Sequence, residues 1–282
     1  MHIKQTGSKL KSALLTLGSC LFWVMVFAQP LKNEARLSIN NYSNEIGNKE
    51  LLTPLFQRLN KCNEPSCLLS VLHLGDSHIK SKFYSRAMES QLNILFNQVG
   101  HVYRVNDSTT GRKTYFFNLE EYAVIGTRFE NYYDSPLLMN YLVANQPDLV
   151  IVSLGTNDAY SGIAIDEMNA QMKALIQLIR TNSPKSLLLF TTPPDELKYI
   201  PSRDGADRLE LVRQNIMQNC ITDSIPYWNL YSVMGGKGQM RNWQRWGFAG
   251  MDNVHYTANG YTLFGRLLAE AIFDGYKHMS TL

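Results

Sequence analysis

The sequence predicts an α/β fold, a three-layer α/β/α domain around a central parallel sheet of about five strands. Three observations carry this. The runs at Cys67–Leu74 (CLLSVLHL), Leu149–Ser153 (LVIVS) and Ser186–Thr191 (SLLLFT) are almost wholly apolar, as strands buried on both faces are. Segments of helical period lie between them. In 164–180, Ile165, Met168, Met172, Leu175, Ile176 and Ile179 fall three or four residues apart. Of the 282 residues 45% are hydrophobic and 18% charged, which supplies a sizeable core and excludes wholesale disorder. Strands that alternate with helices imply parallel crossovers, with helices on both faces.

The elements follow in order. Residues 1–28 read as a signal peptide: Lys4, Lys9 and Lys11, then an apolar run from Ala13 to Ala28, with Val26 and Ala28 placed for cleavage before Gln29. An uncleaved anchor and a lipid-modified Cys20 are the alternatives. The run is short for a membrane span, and the rest of the chain offers no other. The expected product is exported, periplasmic or secreted, with no stable membrane insertion after cleavage. Residues 29–49 form a polar, irregular lead-in, and 50–282 a single domain with no linker to divide it. Thr53-Pro54 starts a short helix over 54–60. The first strand is Cys67–Leu74, followed by a helix over 82–98 and a second strand at Tyr122–Ile125. Leu149–Ser153 is the third strand, 164–180 a helix, Ser186–Thr191 the fourth strand and 204–219 a helix. Ile225–Leu230 is a weaker fifth strand, and 258–276 the last helix, with Tyr261, Phe264, Leu267, Leu268 and Ile272 on its apolar side.

Charge narrows the partners. Lys4, Lys9 and Lys11 account for the formal excess of 27 basic over 24 acidic residues, so the exported part is neutral. It carries no electrostatic footprint for nucleic acid or anionic lipid. Export permits disulfides. Cys62 and Cys67 flank a turn-rich tetrapeptide, so they either close a small loop or stay as thiols, and Cys220 reads as a core thiol. Neither CxxC nor Cys/His zinc spacing occurs. No metal or cofactor is expected: Gly235-Gly236-Lys237-Gly238 lacks the phosphate-loop spacing, because position 231 is Tyr.

Chemistry in such sheets gathers at the carboxyl ends of the strands. Gly75-Asp76-Ser77-His78 follows the first strand, Gly126 the second and Gly155-Thr156-Asn157-Asp158 the third. Asp252-Asn253-Val254-His255 precedes the last helix. These loops supply a serine, a histidine and an aspartate, the set that nucleophilic hydrolysis uses. Serine is a poor nucleophile unless a base takes its proton, and an imidazole titrates in the right range. Ser77 is thus the candidate nucleophile, His255 the base and Asp252 its orienting carboxylate. The backbone N–H groups of Ser77 and Gly126 and the Asn157 amide are candidate oxyanion donors. A strand order of 2-1-3-4-5 brings Ser77, Gly126 and Asn157 to one cleft. Asp76 reads as a loop-stabilising acceptor or a second acid, Asp158 as a cap, His73 as a packed core residue and His78 as candidate cleft lining. Trp243, Trp246, Tyr132 and Tyr133 read as packing residues that could alternatively stack on sugar rings. Ser77 lacks the GxSxG surroundings of the α/β-hydrolase nucleophile, being followed by His78 and Ile79.

The blocks LGDSH, GTND and DNVH resemble those of the SGNH, or GDSL-type, hydrolase superfamily, over roughly residues 50–278. The resemblance implies that Ser77, Gly126, Asn157 and His255 hold the four positions for which that superfamily is named. GDSHI, VMGGKG (Val233–Gly238) and DNVHYTANGY resemble exported bacterial carbohydrate acetylesterases, above all those acting on O-acetylated peptidoglycan. The implied activity is removal of short acyl groups from an acetylated glycan through an acyl-enzyme. The chain has no room for the carbohydrate-binding insertion that members of that group often carry. Transfer of acetyl to another sugar and non-catalytic glycan binding are the competing functions. A lipase or thioesterase is disfavoured, because no long apolar lid segment is visible.

Overall fold

The computed structural model describes residues 44–61, 68–99, 117–198 and 207–280. The signal segment, Cys62 and Cys67 lie outside them. Among the described residues six strands form one sheet: β1 Ile46–Gly47, β2 Leu69–Gly75, β3 Phe117–Ala123, β4 Leu149–Ser153, β5 Leu187–Thr191 and β6 Tyr227–Trp228. Their order is β1-β6-β5-β4-β2-β3. Pairing is parallel from β3 through β6, and β1 is antiparallel to β6. The five parallel strands thus have the 2-1-3-4-5 order. The sixth comes from the segment expected to be irregular, where Ile46 and Gly47 pair with Trp228 and Tyr227.

The second strand lies earlier than its apolar run at Tyr122–Ile125 suggests. Its register with β2 runs from Leu69 opposite Phe117 to Gly75 opposite Ala123. As an edge strand it needs less apolar surface, so Glu120 and Glu121 are tolerated. Val124 and Ile125 pass into an exposed turn. A further helix, Pro136–Asn145, begins where the Ser135 hydroxyl accepts from Leu138 N, with Pro136 at the first helical position.

Side chains alternate across each strand. Leu72, Leu74, Val150, Val152, Leu188 and Phe190 pack with Met168, Met172, Leu175, Val212 and Ile216 from the helices Ile165–Asn182 and Arg208–Thr222. On the opposite face lie the helices Phe83–Gln98 and Ala258–Ser280. Gly265 lets these two meet. A Cβ there would stand 2.2 Å from Tyr84 O and 2.7 Å from Met88 N, both backbone atoms. Gly265→Ala should therefore force the helices apart and cost about 1–3 kcal/mol, read as a lower midpoint in thermal unfolding. An unchanged midpoint would contradict this packing.

Candidate active site

The sheet presents β2, β3 and β4 side by side, so their carboxyl ends converge. After β2 the chain turns into the short helix Ser77–Lys80. Asp76 caps it, its Oδ1 accepting from His78 N at 2.9 Å. The turn closes on Gly75, where a Cβ would stand 2.2 Å from Ile79 Cγ1 and 3.2 Å from Ser153 O.

Ser77 Oγ lies 3.0 Å from His255 Nε2, and His255 Nδ1 lies 2.7 Å from Asp252 Oδ2. Asp252 Oδ1 accepts from Val254 N at 3.0 Å and from His255 N at 2.9 Å, which ties the carboxylate to its own loop. Burial, the largest single influence, pushes the Asp252 pKa up. The two N–H groups and the His255 ring outweigh that and lower it to about 2. An ionised Asp252 draws the imidazole proton onto Nδ1, which leaves Nε2 free to accept from Ser77.

Asn157 stands in the first turn of the helix Thr156–Ser161, directly after β4. Its Nδ2 donates to Asp76 Oδ2 at 3.0 Å and to Thr127 O at 3.2 Å. Asp76 therefore holds the Ser77 turn with one oxygen and the Asn157 amide with the other. Only 1% of Asp76 is exposed. Burial raises its pKa to about 7, against the pull of His78 N–H, His255 and Asn157. Gly126 sits in the exposed turn after β3 with φ +78, and a Cβ placed there would meet nothing within 4 Å. Its backbone is open to an approaching molecule.

His78 is buried, with Nδ1 3.0 Å from the Tyr261 hydroxyl and its ring centroid 5.3 Å from that of His255. Burial first, and His255 second, bring its pKa down to about 3, so it is neutral beside the other imidazole. His73 is fully buried between Ser85 Oγ and Ser153 Oγ, each at 2.9 Å, a packed core residue. Asp158 is buried too, its Oδ1 accepting from Phe129 N. The stacking alternative fails for two aromatics: Trp243 and Tyr132 are buried. Trp243 Nε1 donates to Met234 O, and the Tyr132 hydroxyl donates to Gly75 O at 2.8 Å. Tyr133 packs against the main core.

Sequence reasoning does not single out Thr127, because its part is played by a backbone carbonyl that carries no residue signature. It reads Tyr261 as apolar lining of the last helix. The ring does pack, but the hydroxyl reaches His78 across the fold.

The profile of the GDSL-like lipase/acylhydrolase family matches residues 74–263, a span that contains Ser77, Gly126, Asn157, Asp252 and His255. The chain belongs to that family. Acyl-ester hydrolysis is accordingly the reaction class of this GDSL-like hydrolase. No curated protein matches the chain in sequence. Solved structures do match in fold. A peptidoglycan O-acetylesterase aligns at 16% identity over 81% of this chain and 96% of its own, with a TM-score of 0.66. The acetyl xylan esterase AlAXEase aligns at 17% identity over 73% and 98%, with a TM-score of 0.51. Est24, a carbohydrate acetylesterase from Sinorhizobium meliloti, aligns at 17% identity over 76% and 100%, with a TM-score of 0.50.

Proposed function

We propose that this GDSL-like hydrolase is an exported serine esterase that removes O-acetyl groups from a carbohydrate, with O-acetylated peptidoglycan as its substrate. One observation carries the mechanism: the unbroken hydrogen-bonded chain from Ser77 Oγ through both His255 nitrogens to Asp252. Ser77 Oγ attacks the acetyl carbonyl while His255 Nε2 takes its proton. The ionised Asp252 steadies the imidazolium through Nδ1–H. The carbonyl oxygen gains a full negative charge in the tetrahedral intermediate. Donors for it are the backbone N–H groups of Ser77 and Gly126 and one N–H of Asn157, once that hydrogen leaves Thr127 O or Asp76. Collapse expels the sugar hydroxyl, which takes the proton from His255. Water then attacks the acyl-enzyme by the same route, releasing acetate and freeing Ser77.

The substrate class rests on three supports. The family is one of acylhydrolases. The apolar run before Gln29 favours export to where envelope glycans lie. Carbohydrate acetylesterases recur among the fold relatives, a peptidoglycan O-acetylesterase included; that last step is analogy. Turnover should fall steeply from acetyl to butyryl to octanoyl esters of 4-nitrophenol. Purified O-acetylated peptidoglycan should release acetate faster than acetylated xylan does. A preference for octanoyl esters would defeat the short-acyl reading, and faster release from xylan would defeat the choice of polymer.

A further inference from the structure

The segment that follows β5 touches both halves of the candidate site. Leu197 N donates to Asn253 O at 3.1 Å, and Asp195 O accepts from the Tyr256 hydroxyl at 2.5 Å. Asn253 and Tyr256 each adjoin a member of the Asp252–His255 pair. From the same segment Glu196 Oε2 accepts from the Tyr160 hydroxyl, on the helix that carries Asn157. Asp195 Oδ2 also accepts from Met240 N at 2.8 Å, which anchors the segment from below. Three consecutive residues thus join the loop of His255 to the helix of Asn157. His255 needs such support, because its side chain is 43% exposed on a loop outside the sheet.

We propose that Glu196 is a positioning residue: its carboxyl locks the base-bearing loop to the helix that carries Asn157. The inference rests on the reading of His255 as the base. Glu196 works as a neutral group. Its Oε1 is sealed from solvent and has no hydrogen-bond partner. Burial, helped by Asp76, outweighs the pull of the Tyr160 hydroxyl, Arg213 and Thr156, and its pKa is raised to about 8. Asp195 stands beside it on its own segment, and Tyr256 and Tyr261 face it from the C-terminal side. Asp252 and Asp207 act on the adjoining Tyr160. Below pH 8 the carboxyl is protonated and the brace holds. Above it the carboxylate is the stronger acceptor for the Tyr160 hydroxyl, so the brace holds there too.

The test compares two variants on 4-nitrophenyl acetate, with circular dichroism as a check on folding. Glu196→Ala should lower kcat roughly tenfold or more with KM within about twofold, since displacing a base by a fraction of an ångström is costly. Glu196→Gln keeps the shape of a neutral carboxyl and an acceptor for Tyr160, so its rate at pH 7 should stay within about twofold of wild type. Wild-type kcat in Glu196→Ala would overturn the proposal, and so would a Glu196→Gln rate as low as that of Glu196→Ala. Failure of the underlying reading shows separately, as turnover that survives in His255→Ala.

Discussion

Ser77→Ala is expected to abolish hydrolysis of 4-nitrophenyl acetate, a loss of roughly 10⁴–10⁶-fold in kcat. The hydroxyl removed is the group on the β2 turn that faces His255 Nε2 within hydrogen-bond distance, at 3.0 Å. The change deletes one atom from a turn held by other bonds. Asp76 still caps the helix through His78 N, and Gly75 still closes against Ile79. Folding should therefore be unaffected, which circular dichroism checks. His255→Ala should fall as far, because serine without its base has no route for the proton. The double variant should be scarcely worse than either single one, since the groups act as a unit. Near-wild-type turnover in purified Ser77→Ala would remove Ser77 from the nucleophile's role.

Asn157→Ala is the next largest expected loss, roughly 10²–10³-fold in kcat with KM little changed. An oxyanion donor has its effect only as charge develops, so it acts on the transition state rather than on bound ester. The geometry adds a second consequence. Asp76 Oδ2 loses the N–H that now faces it at 3.0 Å, and that N–H favours the charged carboxylate. The Asp76 pKa should rise further, so ionising this buried group becomes costlier. Linkage sets the sign. A carboxyl whose folded pKa lies above its unfolded value holds an extra proton in the native state, so stability falls as pH rises from about 4 toward 7. That slope should be steeper and extend higher in Asn157→Ala, as urea midpoints across this range would show. A KM rise with unchanged kcat would make Asn157 a ground-state contact instead.

How far the sequence can be read depends on the kind of signal each residue carries. β4 is legible because a strand buried on both faces is apolar throughout, and LVIVS is both short and rich in β-branched residues. β3 is displaced from its expected position because it is the last strand of the sheet among the described residues. Its charged residues break the apolar pattern while the ladder to β2 carries on. The helix Pro136–Asn145 escapes a reading by stripe, although Ser135-Pro136 has the form of a helix start, because its apolar residues lie all round it. Aromatic residues are ambiguous for another reason. A tryptophan that stacks on sugar and one that fills a core share the same one-dimensional surroundings, and only burial separates them.

Local order along the chain determined the α/β class and the placing of a serine, an asparagine and a histidine at loop positions. Those properties depend on periodicity, on crossover rules and on residues within a few positions of one another. The tertiary structure decided what those rules do not reach. It brought Ser77 to His255 across 178 residues, and it turned Asp76 toward Asn157 across 81. It also set Glu196 between the His255 loop and the Asn157 helix, where burial rather than sequence determines its charge. A pKa, a buried carboxyl's partner and the fit of Gly265 against Tyr84 all arise from atoms far apart in the chain, so the folded packing alone fixes them.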